Sequence, residues 1–119
     1  MTLRVYTGRI GYRGDDALPV TRRIVTHPDG LPFAPSDALL SWGLAERRAG
    51  RGEAMWPTYA ERYTAEMRAS YRAHRAAWDA LLARDKVTLL CFCHDPTHCH
   101  RGVLAALLTR CGAVYEGER

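Results

Sequence analysis

Between Cys91 and Arg101 the chain reads Cys91-Phe92-Cys93-His94-Asp95-Pro96-Thr97-His98-Cys99-His100-Arg101, which holds three of its four cysteines and three of its five histidines. Two chemistries suit this segment. In the first, Cys99 stands where a helix can begin, and the unpaired N–H groups and dipole there lower a cysteine pKa from ~8.5 towards neutrality. His98 or His100 then exchanges its proton, and Arg101 joins the same N–H groups in holding a phosphate or carboxylate. Cys99, His100, Arg101 and Cys93 form the catalytic group in this reading. In the second, Cys91, Cys93 and Cys99 surround a metal with an imidazole from His94, His98 or His100, and thiolate with imidazole ligands select zinc. Cys91 and Cys93 share one side of a strand, a spacing that serves a core position as well as a ligand pair. Taken singly, Cys91 and Cys111 read as small buried apolar residues. Arg101 follows Cys93 by eight positions and Cys99 by two, neither of which is the spacing of a tyrosine phosphatase.

Elements on either side must position this segment. Val87 to Cys93 is a continuous apolar run, the pattern of a central strand buried on both faces. From Cys99 or His100 a helix runs through Val103, Leu104, Leu107 and Leu108 to Cys111, with Gly112 placed for a left-handed cap. Ala113-Val114-Tyr115 is extended again, so strand, loop, helix and strand form a βαβ unit. Upstream, Leu3 to Thr7 alternates as a first strand, and Leu18 to Val25 is β-branched enough for a second, although Pro19 restricts its pairing. His27 to Pro35 is a proline-rich loop. Ser36 caps a short helix that ends before Gly50 and Gly52. Tyr59, Tyr63, Met67, Tyr71, His74, Trp78, Leu81 and Leu82 then recur at spacings of three or four, the stripe of one long amphipathic helix with Pro57 in its first turn. That stripe reads as core, with His74 at its edge.

The 119 residues suit one domain over residues 1–119. Apolar residues make up 47% and charged residues 25%, which excludes a disordered chain. No apolar run reaches the ~20 residues that span a bilayer. No leader-like apolar run stands near the N-terminus, so the expectation is a cytoplasmic chain with reduced thiols and no membrane partner. The net charge is +4, and sixteen of the seventeen basic residues are arginine. Arginine suits anionic partners, among them nucleic acid, yet thirteen acidic residues are interspersed and no basic block stands out.

Several landmarks together resemble the DUF488 family, particularly its short phage-like and bacterial members. They are the run Val87 to Cys93, then Cys99-His100-Arg101, Leu104-Ala105, and Gly112 to Glu118. Tyr6-Thr7, Val20-Thr21-Arg22, Phe33-Ala34-Pro35 and the segment from Trp56 to Arg72 also match, so the likeness covers nearly the whole chain. The resemblance implies a compact α/β domain with a site around Cys99-His100-Arg101. A looser fold-level likeness to other small domains with a Cys-His motif after a central strand suggests nucleotides or modified bases.

The expected architecture is therefore a small single-domain three-layer α/β sandwich, with a mainly parallel sheet and helices on its faces. The expected function is an enzyme acting on a small anionic substrate: a nucleotide, nucleoside or modified base. Ligands bind beyond the C-terminal ends of strands in such sheets, so Tyr6, Thr7 and Arg9 after the first strand and Thr21 and Arg22 after the second would line the pocket. Glu116 would add a carboxylate from the last strand. The alternative is a non-catalytic zinc-binding or nucleic-acid-binding protein in which Cys91, Cys93, His94, His98 and Cys99 furnish the metal site.

Overall fold

A computed structural model describes residues 2–22, 28–93 and 95–119. The strands are β1 (Arg4–Arg9), β2 (Ala17–Pro19), β3 (Lys86–Cys91) and β4 (Val114–Glu118). The helices are α1 (Asp37–Arg48), α2 (Gly52–Ala73), α3 (Arg75–Leu82) and α4 (His100–Arg110), with 3-10 turns at Pro28–Phe33 and Pro96–His98. The sheet is wholly parallel in the order β2-β3-β1-β4. A parallel sheet of this kind, with helical connections between its strands, is the small α/β domain expected from the sequence. The most apolar strand, β3, lies inside it.

The layers are unequal, and chain direction explains why. The steps from β2 to β3 and from β3 to β4 run the same way across the sheet, so right-handed crossovers carry all their helices over one face. On that face Val5, Leu18 and Leu89 join Tyr63, Met67, Leu104 and Leu108 in the core. The step from β1 back to β2 runs the other way and consists of residues 10–16 alone. That loop covers the opposite face, where Asp16 accepts hydrogen bonds from Thr88 (2.6 Å) and Tyr12 (2.8 Å). No helix among the described residues is long and apolar enough to cross a membrane.

Local differences from the sequence expectation have tertiary causes. The second strand stops at Pro19; Val20 still donates to Leu90 O (2.9 Å), after which the chain turns away through Thr21. Residues 23–25 of the expected strand lie outside the described residues. The single long helix breaks at His74, which is exposed rather than at the core edge. The break turns Trp78 against Phe33 (ring centroids 5.0 Å) and lets its indole N–H donate to Ser70 Oγ (3.1 Å). The long helix also starts at Gly52, so Pro57 falls inside it, on its exposed side. Ser36 does cap α1, accepting from Leu39 N (3.1 Å), and donates from its own N–H to Glu66 of α2 (2.8 Å).

Gly43 sets how closely α1 approaches α2. A Cβ there would stand 2.7 Å and 3.0 Å from ring atoms of buried Tyr59. Gly43→Ala gains about 1 kcal/mol of helix propensity but forces an overlap costing about 1–3 kcal/mol. A net drop in melting temperature is the expected outcome, and a rise would show that Tyr59 yields freely.

Candidate metal centre and pocket

The buried run of β3 ends at Cys91, and two residues further Cys93 emerges on the same side. Asp95 then caps the short turn by accepting from Thr97 N (2.9 Å), and the chain folds back so that Cys99 becomes the N-cap of α4. The result brings the sulfurs of Cys91, Cys93 and Cys99 within 4.8 Å of one another, with Cys91 and Cys93 3.8 Å apart. Three sulfurs at this separation, beside the positive end of a helix dipole, are an arrangement that can hold a metal ion. Cys91 and Cys99 are buried and Cys93 is half-buried.

Hydrogen bonding divides the cluster. Hydrogen bonding with Cys93 and Cys99, aided by the charge of Arg101, draws the Cys91 thiol down to about 3. Bonding to Cys91 and Cys93, reinforced by burial, pushes the Cys99 thiol up. Cys99 is also only 1% exposed. It therefore does not stand as the accessible thiolate expected at the helix start, and Cys91 is a member of the cluster rather than an isolated apolar filler. Cys111 is exposed at the end of α4.

His100 opens α4 and is buried against the Tyr63 ring (centroids 5.3 Å). Its Nε2 lies 2.6 Å from Val20 O. A carbonyl only accepts, so Nε2 carries the proton and Nδ1 presents a lone pair. That lone pair is 3.8 Å from Cys91 Sγ and 3.9 Å from Cys99 Sγ. Burial lowers the imidazole pKa, which keeps the ring neutral.

Arg101, the expected anion clamp, is engaged within the protein. Its side chain is fully buried, its Nε and Nη2 donate to Glu118 (3.3 and 2.9 Å), and its Nη1 donates to Cys93 O (2.9 Å). With these donors engaged it holds the Cys93 turn to β4. The carboxylate is Glu118 rather than Glu116 because the β1–β4 register shifts between Val5 and Tyr6. Gly117, at φ 127°, accommodates the bulge. Glu116 is exposed there, while Tyr115 and Glu118 both meet the Thr7 side, where Thr7 and Tyr115 hydroxyls are 2.7 Å apart.

The remaining expected residues are dispersed. Tyr6 faces the other side of the sheet beneath the Arg119 guanidinium (3.8 Å). Arg9 is exposed at the end of β1, its charge felt by Glu118. Arg22 donates to Pro35 O (2.7 Å) and does not line the pocket above the sulfurs, whereas Thr21 does. His98 is 2.9 Å from Asp95 and 3.5 Å from Glu53, and packs on Trp56 (5.3 Å), so it belongs to the surface of the turn rather than to the cysteine cluster. His94 lies outside the described residues.

The pocket over the cluster has apolar walls, among them Leu40, Leu44 and Phe92. Among the described residues its one guanidinium is that of Arg47, whose Nη1 is 3.5 Å from Cys93 Sγ and whose Nη2 donates to His98 O (2.5 Å). Neither Arg47 nor Glu118 was predicted by sequence reasoning. Arg47 is one of many arginines, and the only signal for Glu118 was the glycine before it.

The family described as DUF488-N3a, the active DUF488-N3 subclade, matches the chain over residues 31–112. The match spans α1 to α4 and so contains the whole cysteine cluster, Arg47 and His100. No curated protein and no solved structure matches the chain.

Proposed function

From a chain that belongs to the DUF488 family, with its cysteine cluster inside the matched region, we propose a zinc-binding protein whose metal centre forms the floor of a pocket for a small anionic molecule. The observation that carries the reading is the convergence of Cys91, Cys93 and Cys99 on one point. Thiolate ligands in a tetrahedral set select zinc over harder divalent ions. The apolar walls take the body of the bound molecule and Arg47 its anionic group, a division of labour usual in small-molecule sites. A nucleoside or nucleotide fits that description.

The expected result is close to one equivalent of zinc per chain after purification without added metal or a metal-binding tag. Replacing Cys91, Cys93 and Cys99 by serine together should abolish it, whereas Cys111→Ser should leave it intact. Less than about a tenth of an equivalent in the wild type, with zinc supplied during growth, would refute the metal centre. Nucleotides and nucleosides should then be screened against the zinc-loaded protein for thermal stabilisation, with Arg47→Ala as the control that loses it.

A second reading keeps the chemistry at Cys93 alone. It is the half-buried sulfur, it lines the pocket, and Arg47 stands 3.5 Å from it, where an anionic group attacked by the sulfur would be held. Metal-free protein whose Cys93 is alkylated much faster than exposed Cys111 would favour this enzyme reading.

A further inference from the structure

We propose that His100 supplies the fourth ligand of the metal centre through Nδ1, closing a Cys3His site whose ion is structural. This rests on the metal-centre reading above and specifies it. With Zn–S near 2.3 Å and Zn–N near 2.0–2.1 Å, tetrahedral angles set S···S at about 3.8 Å and S···N at about 3.6 Å. The corresponding separations are 3.8 Å for Cys91 and Cys93, and 3.8 and 3.9 Å from Nδ1 to Cys91 and Cys99. The three sulfurs lie within 4.8 Å of one another, and Nδ1 reaches two of them, so the set closes when the Cys93 turn moves in towards His100 around the ion.

Three further features of His100 are those of a ligand. Its tautomer is fixed by the bond from Nε2 to the Val20 carbonyl, the usual outer partner of a metal-bound imidazole. Its neutral lone pair points at the sulfurs rather than at an N–H or O–H donor. It is 4% exposed, so water does not compete for that lone pair.

Four protein ligands leave no open position, the mark of a structural rather than a catalytic site. Zinc binding releases the remaining cysteine protons to solvent, and the neutral imidazole adds no charge. Three thiolates and a divalent ion leave the centre with a net charge of minus one. The helix N-terminus and the nearby guanidiniums of Arg101 and Arg47 offset that charge. The ion then joins the end of β3, the start of α4 and, through Val20, the chain leaving β2. Contents of the pocket meet its ligands rather than the ion, Cys93 being the least buried of the three sulfurs.

The test is X-ray absorption at the zinc edge of the wild-type protein, paired with cobalt titration of His100 variants. The expected zinc shell is three sulfurs and one nitrogen, with the outer scattering of an imidazole. Three sulfurs and a water oxygen would overturn the proposal while leaving the metal centre in place. His100→Ala should weaken cobalt binding at least tenfold and shift its visible bands, and His100→Cys should recover the affinity and add thiolate charge-transfer intensity. Unchanged affinity and bands in His100→Ala would also overturn it. If His100→Ala does not fold, the wild-type spectrum and His100→Cys decide. Absence of zinc and cobalt from the wild type would refute the metal-centre reading itself, and this inference with it.

Discussion

On the proposed zinc centre, a strong chelator should lower the melting temperature of the chain by about 10 °C or more. The ligands lie within one short segment, but the elements they hold do not depend on that segment alone. Cys91 ends β3 and Cys93 follows it by two residues, Cys99 and His100 begin α4, and the Val20 carbonyl on His100 belongs to the chain leaving β2. An ion bound only by the folded state stabilises it by RT ln(1 + [L]/Kd), about 4 kcal/mol when zinc is a thousandfold above Kd. For a chain of this length each 1 kcal/mol moves the melting temperature by roughly 3–6 °C. Removal also leaves thiols and an imidazole packed together in the interior without the ion that satisfied them. Calorimetry with and without chelator, followed by zinc addition, measures the effect. A reversible loss supports a fold-linked ion. A shift within about 2 °C would sink it.

Glu118→Ala should cost about 3 kcal/mol or more, and more than Arg101→Met at the other end of the same pair. The asymmetry follows from burial: the Arg101 side chain is 0% exposed whereas that of Glu118 is 29% exposed. Removing the carboxylate strands a guanidinium in the interior, while removing the guanidinium leaves a carboxylate that water can reach. Chemical denaturation of the two variants measures the difference, and equal losses would show that the pair acts only as packing. The same pair gives the stability a pH dependence. Burial alone would raise the Glu118 pKa, but the bond from Arg101 and a contact with Thr7 outweigh it, and the value is lowered. Asp16 is lowered too, because bonds from Thr88 and Tyr12 outweigh its desolvation. Groups with depressed folded values bind protons more readily when unfolded. Their contribution is full above the ordinary carboxylate range and is lost as pH falls through the folded values. Denaturation midpoints should therefore hold from neutral pH to about 5 and fall below about 4, with the fall shallower in Glu118→Gln.

Which features were legible in the sequence follows from the range of the forces behind them. The β3–loop–α4 unit, the Ser36 cap and the Gly112 cap rest on residues within a few positions of one another, and each forms as read, except that the strand ends at Cys91 rather than Cys93. The second strand and the long helix were over-extended because their ends are set by distant partners: Leu90 for Val20, and Phe33 for Trp78. The unequal layering was hidden because strand order, which no local pattern encodes, decides on which face each crossover packs.

The sequence by itself determined where the chemistry sits, since three cysteines at the end of a buried strand and the start of a helix meet whenever that strand–loop–helix unit closes. Only the tertiary structure decided how they are used. It chose His100 over His98 to face the sulfurs, because Val20, eighty residues away, orients its ring. It gave Arg101 to Glu118 rather than to a ligand, because a bulge in β4 turns that carboxylate inward. It brought Arg47 of α1 to Cys93, because α1 packs against α2 at Gly43 and sets the pocket mouth. Each of these depends on the packing of elements far apart in the chain, and contact at such separations is fixed by the whole core rather than by any local pattern of residues.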